Sequence, residues 1–235
     1  MYSGASIDRF TEDGEDLIFV SNKNAEGYLE LLGYNVSGEV VFQKTFSSVL
    51  QKEGTTIDMK NMIIENWVMG DVDGDGYKDI LVNYTETISA ASSRSLLVSG
   101  KTGEVVWARG YMDQIVMSNQ RTFGAWMGLS SMVDVDGDGK QELVLGATCL
   151  DDDGTVLWCT DTGHGDAMHL GDFLPERPGL ELWICHESKP YGVSLLNASN
   201  GSTIFHYDGS KDTGRCCAGN VWSGNDGAEF WAAGF

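Results

Sequence analysis

The chain has 235 residues, and its 35 Asp and Glu residues against 15 Lys and Arg residues give a formal net charge of −20. A hydrophobic content of 42% with 10% aromatic residues excludes an intrinsically disordered chain, and no apolar run approaches the roughly 18 residues of a membrane-spanning helix. The acidic balance argues against nucleic acid and anionic membrane surfaces as partners, because both require a clustered basic face, so we expect a soluble globular protein.

The first six residues contain neither a basic segment nor an apolar one, so no secretory signal peptide is visible in the sequence.

Two short elements alternate along the chain. The first element is an Asp-x-Asp-x-Asp-Gly loop followed by a carboxylate and an apolar run. Its best copies are residues 71–82 and 134–145, and its degenerate copies are residues 8–18, 172–183 and 220–231.

The second element is a turn with glycine followed by a strand that ends in an aromatic residue. It occurs at residues 38–42, 103–107, 154–158 and 201–205, and its aromatic ends are spaced by 65, 51 and 47 residues. These periods lie near the roughly 40–50 residues of a β-propeller blade, and no segment has the sustained periodicity of a helix. The alternation predicts an all-β fold, a β-propeller with about four blades plus the start of a fifth, in one domain over residues 1–235.

Residues 229–235 fall where the first strand of a further blade is expected. A propeller closes its ring or leaves an exposed sheet edge, so we expect this chain to be part of a larger propeller. A closed ring of four or five blades is the alternative.

The two complete aspartate loops are predicted Ca²⁺ sites, because they place three carboxylates on one side of a turn that glycine at the sixth position permits. A main-chain carbonyl at the seventh position and a carboxylate at the ninth would complete the oxygen ligands. An EF-hand is excluded, since the twelfth positions, Val82 and Leu145, lack its bidentate glutamate. The predicted ligands are Asp71, Asp73, Asp75, Asp79 and the Tyr77 carbonyl in one loop, and Asp134, Asp136, Asp138, Glu142 and the Lys140 carbonyl in the other.

The five cysteines allow two interpretations. Cys149 and Cys159 flank an expected hairpin almost symmetrically, and they would form one disulfide if they faced each other. The alternative is that all five are reduced, buried thiols. Cys216 and Cys217 are adjacent in the chain and are not expected to bridge to each other, because disulfide geometry is demanding.

The segment from Gly163 to Asp172 contains two histidines with an aspartate between them. His164 and Asp166 lie among glycines, which let a ligand approach the backbone closely, so a binding role is favoured for both. His169 is either a core or loop histidine with satisfied hydrogen bonds or a contact to substrate. Arg215, taken by itself, is more typical of a solvated surface residue.

Seven short stretches in the second half of the chain carry a family resemblance. They are residues 133–145, His164-Gly165-Asp166-Ala167-Met168-His169, Gly171-Asp172, residues 177–181, His186-Glu187, Tyr191-Gly192 and Asp212-Thr213-Gly214-Arg215. In these stretches the sequence resembles family 11 of the polysaccharide lyases, the rhamnogalacturonan lyases. The resemblance covers residues 123–235, whereas residues 1–122 match only at the level of the generic aspartate loops.

The resemblance implies an eight-bladed propeller that cleaves the rhamnosyl–galacturonosyl backbone of pectin, rhamnogalacturonan I, by β-elimination with Ca²⁺ as cofactor. It implies that His164, Asp166 and Glu187 line an active-site Ca²⁺. It also implies that Arg215 and His164 are catalytic, and that Arg215 and His169 contact the substrate. A secreted, monomeric enzyme is expected from the same resemblance.

The sequence also departs from the family. The family usually has a second active-site histidine six residues before the aspartate loop, where this sequence has Gly128. One metal ligand or substrate contact is therefore expected to be missing, and further family residues lie in later blades, so we expect this chain alone to lack a complete catalytic site. The alternative function is a non-catalytic, Ca²⁺-stabilised propeller that binds carbohydrate or protein, as adhesion-type repeats do.

Overall fold

The computed structural model describes residues 5–9, 14–50, 56–85, 94–110, 131–160, 162, 165–187 and 189–233. The chain divides into two compact units, one formed by residues 1–114 with 152–154 and the other by residues 115–151 with 155–235. Within the described ranges every regular element is a β-strand, which confirms the all-β prediction. Among these residues, none belongs to a helix of the length and apolarity required to cross a bilayer.

Unit 1 contains two four-stranded antiparallel sheets whose strands follow one another in chain order, with a short hairpin between the two sheets in sequence. This extra hairpin contributes to the long first spacing of 65 residues between aromatic strand ends. The first sheet consists of β1 (Ala5–Arg9), β2 (Asp16–Lys23), β3 (Leu29–Tyr34) and β4 (Val40–Phe46). The hairpin consists of β5 (Ser48–Leu50) and β6 (Thr56–Asp58), and the second sheet of β7 (Ile63–Gly70), β8 (Asp79–Thr85), β9 (Arg94–Val98) and β10 (Val105–Gly110).

Unit 2 repeats the same plan with two four-stranded sheets and a final two-stranded one. Its first sheet consists of β11 (Ser131–Val133), β12 (Glu142–Val144), β13 (Thr148–Leu150) and β14 (Val156–Cys159). Its second sheet consists of β15 (Met168–Gly171), β16 (Glu181–His186), β17 (Gly192–Asn197) and β18 (Thr203–Asp208). The two-stranded sheet pairs β19 (Arg215–Gly219) with β20 (Glu229–Ala233).

The third and fourth strands of every four-stranded sheet are joined by the glycine turn that the sequence predicts. The turn glycines have φ values from 67° to 81°, a region that residues with a Cβ rarely occupy. Just beyond each turn, one residue of the fourth strand is left out of the ladder as a β-bulge, immediately before the aromatic residue. The turn glycines are Gly38, Gly103, Gly154 and Gly201, and the bulged residues are Val41, Val106, Leu157 and Ile204.

In two of the four-stranded sheets, the aromatic residue after the bulge is a tryptophan that packs onto the glycine of another turn. The Trp158 indole N–H donates a 2.8 Å hydrogen bond to the Ala198 carbonyl, and its ring covers Gly201, where an added Cβ would lie 2.8 Å from a ring carbon. Trp107 makes the same contacts in unit 1, with a 3.1 Å bond to the Asp152 carbonyl and the ring over Gly154. These turns therefore need glycine both for their φ angle and for the close approach of tryptophan.

Each unit has its own apolar core. In unit 1 the core includes Phe19, Leu31 and Ile80. In unit 2 strand β16 is buried along its whole length, and its consecutive residues Leu182 and Trp183 belong to different clusters. This is expected for a strand covered on both faces, because successive side chains point in opposite directions.

All five cysteines are free thiols. In the antiparallel pair of β13 and β14, Cys149 lies opposite Trp158, and Cys159 lies opposite Thr148. Because neighbouring residues of a strand point to opposite faces, Cys149 and Cys159 lie on opposite faces of the sheet. The interpretation that these two cysteines face each other is therefore wrong.

Candidate functional site

The two complete aspartate loops connect β7 to β8 and β11 to β12. Their ninth residues, Asp79 and Glu142, begin the second strand of each hairpin and are only 3% and 0% exposed. Asp79 accepts hydrogen bonds from the N–H groups of Val72 at 3.1 Å and Gly100 at 3.0 Å, and Glu142 accepts one from Val135 N–H at 2.7 Å. In both copies the carboxylate at the ninth position accepts a hydrogen bond from the main-chain N–H of the second position, and this bond closes the loop.

The first aspartate of each loop holds the turn. Asp71 Oδ2 accepts a 2.9 Å hydrogen bond from Gly76 N–H, and Asp134 Oδ2 accepts a 3.1 Å bond from Gly139 N–H. Gly76 and Gly139 have φ angles of 87° and 91°. The sixth position therefore uses the left-handed backbone conformation that only glycine adopts without strain.

The carboxylates of positions one, three and nine converge in each loop. Two of their oxygens, Asp71 Oδ1 and Glu142 Oε1, are buried and have no hydrogen-bond partner. An unpartnered buried carboxylate oxygen is costly, and Ca²⁺ takes such oxygens as ligands, so the residues present fit this cation. The sets with one oxygen each within 4.8 Å of the others are Asp71, Asp73 and Asp79, and Asp134, Asp136 and Glu142.

The fifth-position aspartates are not members of these converging sets. Asp75 Oδ1 accepts a 2.9 Å hydrogen bond from Tyr77 N–H, and its Oδ2 lies 3.3 Å from Lys101 Nζ. Asp138 Oδ1 accepts a 2.8 Å bond from Lys140 N–H. The structure thus brings together three of the four carboxylates that the sequence assigned to each loop.

The ninth carboxylates have altered acidity. Burial is the main cause that raises the pKa of Asp79 to about 6 and that of Glu142 to about 7. The nearby aspartates of each loop raise these pKa values further, whereas the main-chain N–H groups lower them. A bound divalent cation would favour the charged form of both carboxylates.

Two of the degenerate loops, residues 172–183 and 220–231, keep the closing carboxylate, whereas residues 10–13 of the degenerate copy at residues 8–18 lie outside the described residues. Glu181 Oε2 accepts hydrogen bonds from Phe173 N–H at 2.9 Å and Leu174 N–H at 3.1 Å. Glu229 Oε2 accepts an equivalent pair at 2.9 and 3.1 Å from two N–H groups at the start of its own loop. The closing carboxylate is therefore a structural feature of the hairpin, and sequence reasoning assigned it only to the metal.

The degenerate loops differ from the complete ones in length. The closing carboxylate pairs with the residue nine positions earlier in the complete loops, as in Gly70 with Asp79, and ten positions earlier in the degenerate loops, as in Gly171 with Glu181. The third position, an aspartate in the complete loops, is Leu174 in one degenerate loop. These loops retain the closing bond without the converging carboxylates.

A second polar group lies in unit 2, where β15, β16 and β19 meet. Arg215 Nη1 donates a 2.8 Å hydrogen bond to Asp166 Oδ2 and also donates to the Gly214 carbonyl. The side chain of Arg215 is 71% exposed and that of Asp166 is 35% exposed. The guanidinium is thus anchored at one nitrogen while most of its surface faces solvent.

Close backbone packing fixes the position of Asp166. A Cβ added to Gly165 would lie 1.8 Å from the Cys185 carbonyl oxygen, so only glycine fits there. The next hydrogen bond of this strand pair runs from Cys185 N–H to the Ala167 carbonyl at 3.2 Å. Asp166 and the exposed Glu187 therefore lie at the same end of the paired strands β15 and β16.

His164 lies outside the described residues, as does Gly128. His169, on β15, is half-buried, and its Nε2 lies 3.1 Å from the Cys216 carbonyl oxygen on β19. The His169 ring is therefore tied to the main chain of the strand that begins with Arg215.

A chain of hydrogen-bonded polar side chains beside this group, which runs from the buried His186 to the exposed Asp208, was not predicted. His186 is fully buried, and its Nε2 lies 2.7 Å from Ser194 Oγ. Ser194 Oγ lies 2.9 Å from His206 Nδ1, and His206 Nε2 lies 3.1 Å from Asp208 Oδ1. Burial, with a smaller effect of His206, lowers the pKa of His186 to about 4, so this histidine is neutral at physiological pH. The available sequence signal was the spacing that puts Ser194 opposite His206 on neighbouring strands.

Comparison with known families identifies the second half of the chain. The family model for the C-terminal domain of rhamnogalacturonan lyase family 11 matches residues 111–235, a range that includes Asp166, Glu187 and Arg215. The chain belongs to rhamnogalacturonan lyase family 11. The family resemblance seen in the sequence is thereby confirmed.

Two curated rhamnogalacturonan lyases are similar to this chain. The chain is 30% identical over 258 residues to rhamnogalacturonan exolyase YesX of Bacillus subtilis (strain 168), an alignment that covers 93% of this chain and 40% of that protein. It is 43% identical over 106 residues to rhamnogalacturonan endolyase YesW of the same organism, which covers 44% of this chain and 17% of that protein. The chain therefore spans less than half the length of these curated relatives.

Solved structures of rhamnogalacturonan lyases share the fold. The TM-score is 0.56 with Bacillus licheniformis rhamnogalacturonan lyase PL11, at 24% identity, over 98% of this chain and 55% of that chain. It is 0.57 with YesW, at 21% identity, over 98% of this chain and 55% of that chain. The Vibrio cholerae biofilm matrix protein Bap1 gives a TM-score of 0.55 at 16% identity, over 92% of this chain and 30% of that chain, so the fold occurs beyond the lyases.

Proposed function

We propose that this chain is part of a Ca²⁺-dependent lyase that cleaves the rhamnosyl–galacturonosyl backbone of pectin, rhamnogalacturonan I, by β-elimination. The observation that carries the proposal is the pairing of Arg215 with Asp166, which are 49 residues apart in sequence and 2.8 Å apart in space. Both residues lie in the part of the chain that matches the family. The two curated relatives are named as rhamnogalacturonan lyases.

The chemistry requires a cation at the uronate carboxylate. β-Elimination removes the proton at C5 and breaks the bond from C4 to the departing oxygen, so negative charge develops next to the carboxylate and must be stabilised. A guanidinium presents a planar fork of N–H donors that matches a carboxylate. Because Arg215 is anchored on Asp166 at one nitrogen and is 71% exposed, we assign it to the carboxylate or the developing anion of the substrate.

Asp166 and Glu187, together with His164, are proposed to hold an active-site Ca²⁺. Two observations support this assignment. Asp166 and Glu187 lie at the same end of the paired strands β15 and β16, and Ca²⁺ prefers carboxylate oxygens as ligands. Bound there, Ca²⁺ would supply positive charge that makes the C5 proton more acidic. His164 is assigned to the same centre as a ligand or as a catalytic group, and His169 as a substrate contact.

The five sheets formed by β1–β4, β7–β10, β11–β14, β15–β18 and β19–β20 are proposed to be successive blades of one β-propeller, part of an eight-bladed whole. Support comes from the glycine turn and β-bulge that recur in every four-stranded sheet. We also propose that structural Ca²⁺ binds the two complete aspartate loops. Two such ions would reduce the formal charge from −20 to about −16 and ease the repulsion within the loops.

An acidic protein can act on an acidic polysaccharide because charge acts locally. At physiological salt, interactions between exposed charges are screened beyond about 8 Å. A centre with Arg215 and a bound Ca²⁺ is therefore positive toward a uronate although the formal net charge is −20. From the family resemblance we also propose a secreted, monomeric protein, and from its acidic charge we propose that it has no nucleic-acid or membrane partner.

The test is ultraviolet detection of the unsaturated uronate that β-elimination leaves on the product. Purified protein is incubated with rhamnogalacturonan I and Ca²⁺, as wild type, Gly128→His and Arg215→Lys. We expect slow release by the wild type and faster release by Gly128→His, which restores the histidine usual in the family. We expect release about 10-fold slower or worse for Arg215→Lys, because lysine cannot make the forked contact.

Because this chain alone is expected to lack a complete catalytic site, absence of the unsaturated product also from a form of the protein that carries the later family blades would contradict the lyase proposal. Ca²⁺-dependent retention of the protein on the polysaccharide without product would favour the non-catalytic binding propeller instead.

A further inference from the structure

The main-chain carbonyl of Ala167 accepts three hydrogen bonds from two cysteines. Cys185 N–H donates at 3.2 Å, the Cys185 thiol at 3.5 Å and the Cys216 thiol at 3.4 Å. Both thiols therefore converge on the same main-chain oxygen. Two sulfur atoms that share one acceptor oxygen lie close enough to react with each other.

The two cysteines come from different sheets. Cys185 pairs with Val193 inside the sheet of β15–β18, and Cys216 pairs with Ala232 inside the sheet of β19 and β20. Both belong to the same apolar cluster, which also contains Trp183. A covalent bond between the two sulfur atoms would join these sheets where no main-chain ladder connects them.

We propose that Cys185 and Cys216 form a disulfide bond with each other when a low-molecular-weight disulfide such as oxidised glutathione oxidises them. Residue Cys216 is 7% exposed while Cys185 is fully buried, so the Cys216 sulfur attacks one sulfur of the small disulfide and releases one small thiol. The Cys185 sulfur then attacks the mixed disulfide and releases the second small thiol. The protons of the two protein thiols go to the two released thiols, and two electrons pass to the small disulfide.

The bond would lie directly beside the proposed sugar-binding centre. Arg215 precedes Cys216, and Asp166 precedes Ala167, so the disulfide would hold the strand of Arg215 against the segment of Asp166. Closing a loop between residues 185 and 216 restricts the unfolded chain. We expect the thermal midpoint of the oxidised protein to rise by roughly 5–10 °C.

The experiment counts thiols and locates the bond. The folded protein is incubated with excess oxidised glutathione, quenched in acid, denatured and labelled with a maleimide, and intact mass and peptide maps are recorded. We expect two of the five thiols to escape labelling and the peptides of Cys185 and Cys216 to be joined. Cys185→Ser should stop at a glutathione adduct on Cys216, and the control Cys149→Ser should still form the bond.

Several outcomes would overturn the proposal. Labelling of all five thiols after oxidation would show that the pair does not react. Loss of two thiols that persists in Cys185→Ser, or a joined peptide that contains Cys149, Cys159 or Cys217, would assign the bond elsewhere. The peptide map of the wild type decides the matter even if a serine variant fails to fold, and the result does not depend on lyase activity.

Discussion

Arg215, at the start of β19, and Asp166, just before β15, form a 2.8 Å ion pair although they are 49 residues apart in sequence. An exposed ion pair of this kind contributes only about 0–1 kcal/mol to stability. Its consequence is therefore the orientation of the guanidinium, which is held at one nitrogen while the rest of the group stays accessible. A substitution in this pair should therefore change the orientation of the Arg215 guanidinium with little effect on the stability of the protein.

The first prediction concerns removal of Ca²⁺. We expect a chelator to lower the thermal midpoint by roughly 10 °C or more, because each loop site contributes about 2.7 kcal/mol when free Ca²⁺ is 100-fold above its Kd. Calorimetric melting with chelator, with Ca²⁺ and with Mg²⁺ checks this. Asp73→Asn should reduce the Ca²⁺-dependent shift of the midpoint, whereas the control Asp226→Asn, in an exposed loop, should leave it unchanged. A wild-type midpoint that does not change with chelator would contradict the proposed structural Ca²⁺ sites.

The second prediction uses the raised pKa of Glu142. In chelator, a carboxyl group with a pKa of about 7 in the folded state and 4.5 in its ordinary state contributes stability below pH 4.5 that is lost as the pH rises through 7. Glu142→Gln stays neutral, so its midpoint should rise relative to the wild type over this range. With excess Ca²⁺ the order should reverse at neutral pH, because the glutamine lacks the charge that binds the ion.

Midpoints measured across this pH range in chelator, and again in Ca²⁺, test the second prediction. If the pH curves of wild type and Glu142→Gln ran parallel in chelator, the buried carboxyl would not have the proposed acidity.

The third prediction separates the closing bond from the metal. Glu181 is 2% exposed and accepts two main-chain hydrogen bonds, and its loop lacks the converging carboxylates. We expect Glu181→Ala to destabilise the protein by about 2 kcal/mol whether or not Ca²⁺ is present, and Glu181→Gln, which keeps an acceptor oxygen, to cost less. Urea unfolding of both variants with and without Ca²⁺ is the measurement, and a loss seen only in Ca²⁺ would contradict the structural role.

The fourth prediction concerns Gly165. Its Cβ would lie 1.8 Å from the Cys185 carbonyl oxygen, so Gly165→Ala must separate β15 from β16 and should destabilise the protein by about 1–3 kcal/mol. The matched control is Gly214→Ala, whose Cβ would meet only Asp166 Oδ2 at 3.9 Å. Equal midpoints for the two variants would show that the close approach is not required.

The sequence predicts local features of this fold well. The spacing of aspartates and glycines identified the tight loops, and the glycine before each fourth strand predicted the turns at Gly103 and Gly201, because both signals depend on residues close in sequence. The closing role of Glu181 was missed, since an extra residue in its loop moves it from the ninth position. The fifth-position Asp75 was assigned to the metal, although a main-chain N–H and Lys101 engage it.

Tertiary features were less accessible. The sharing of the Ala167 carbonyl by Cys185 and Cys216, and the contact of His186 with Ser194, depend on which strands pack together and on their register. Sequence spacing within one strand does not contain that information.

The most direct test of the proposed function is the initial rate of unsaturated uronate formation from rhamnogalacturonan I as a function of free Ca²⁺. We compare wild type with Asp166→Asn, and use Asp226→Asn in the exposed β19–β20 loop as the control. The proposed centre predicts a rate that vanishes in chelator and a Ca²⁺ requirement raised about 10-fold or more in Asp166→Asn, with a melting midpoint close to that of the wild type. A rate that persists in chelator, or an identical Ca²⁺ dependence for wild type and Asp166→Asn, would contradict it.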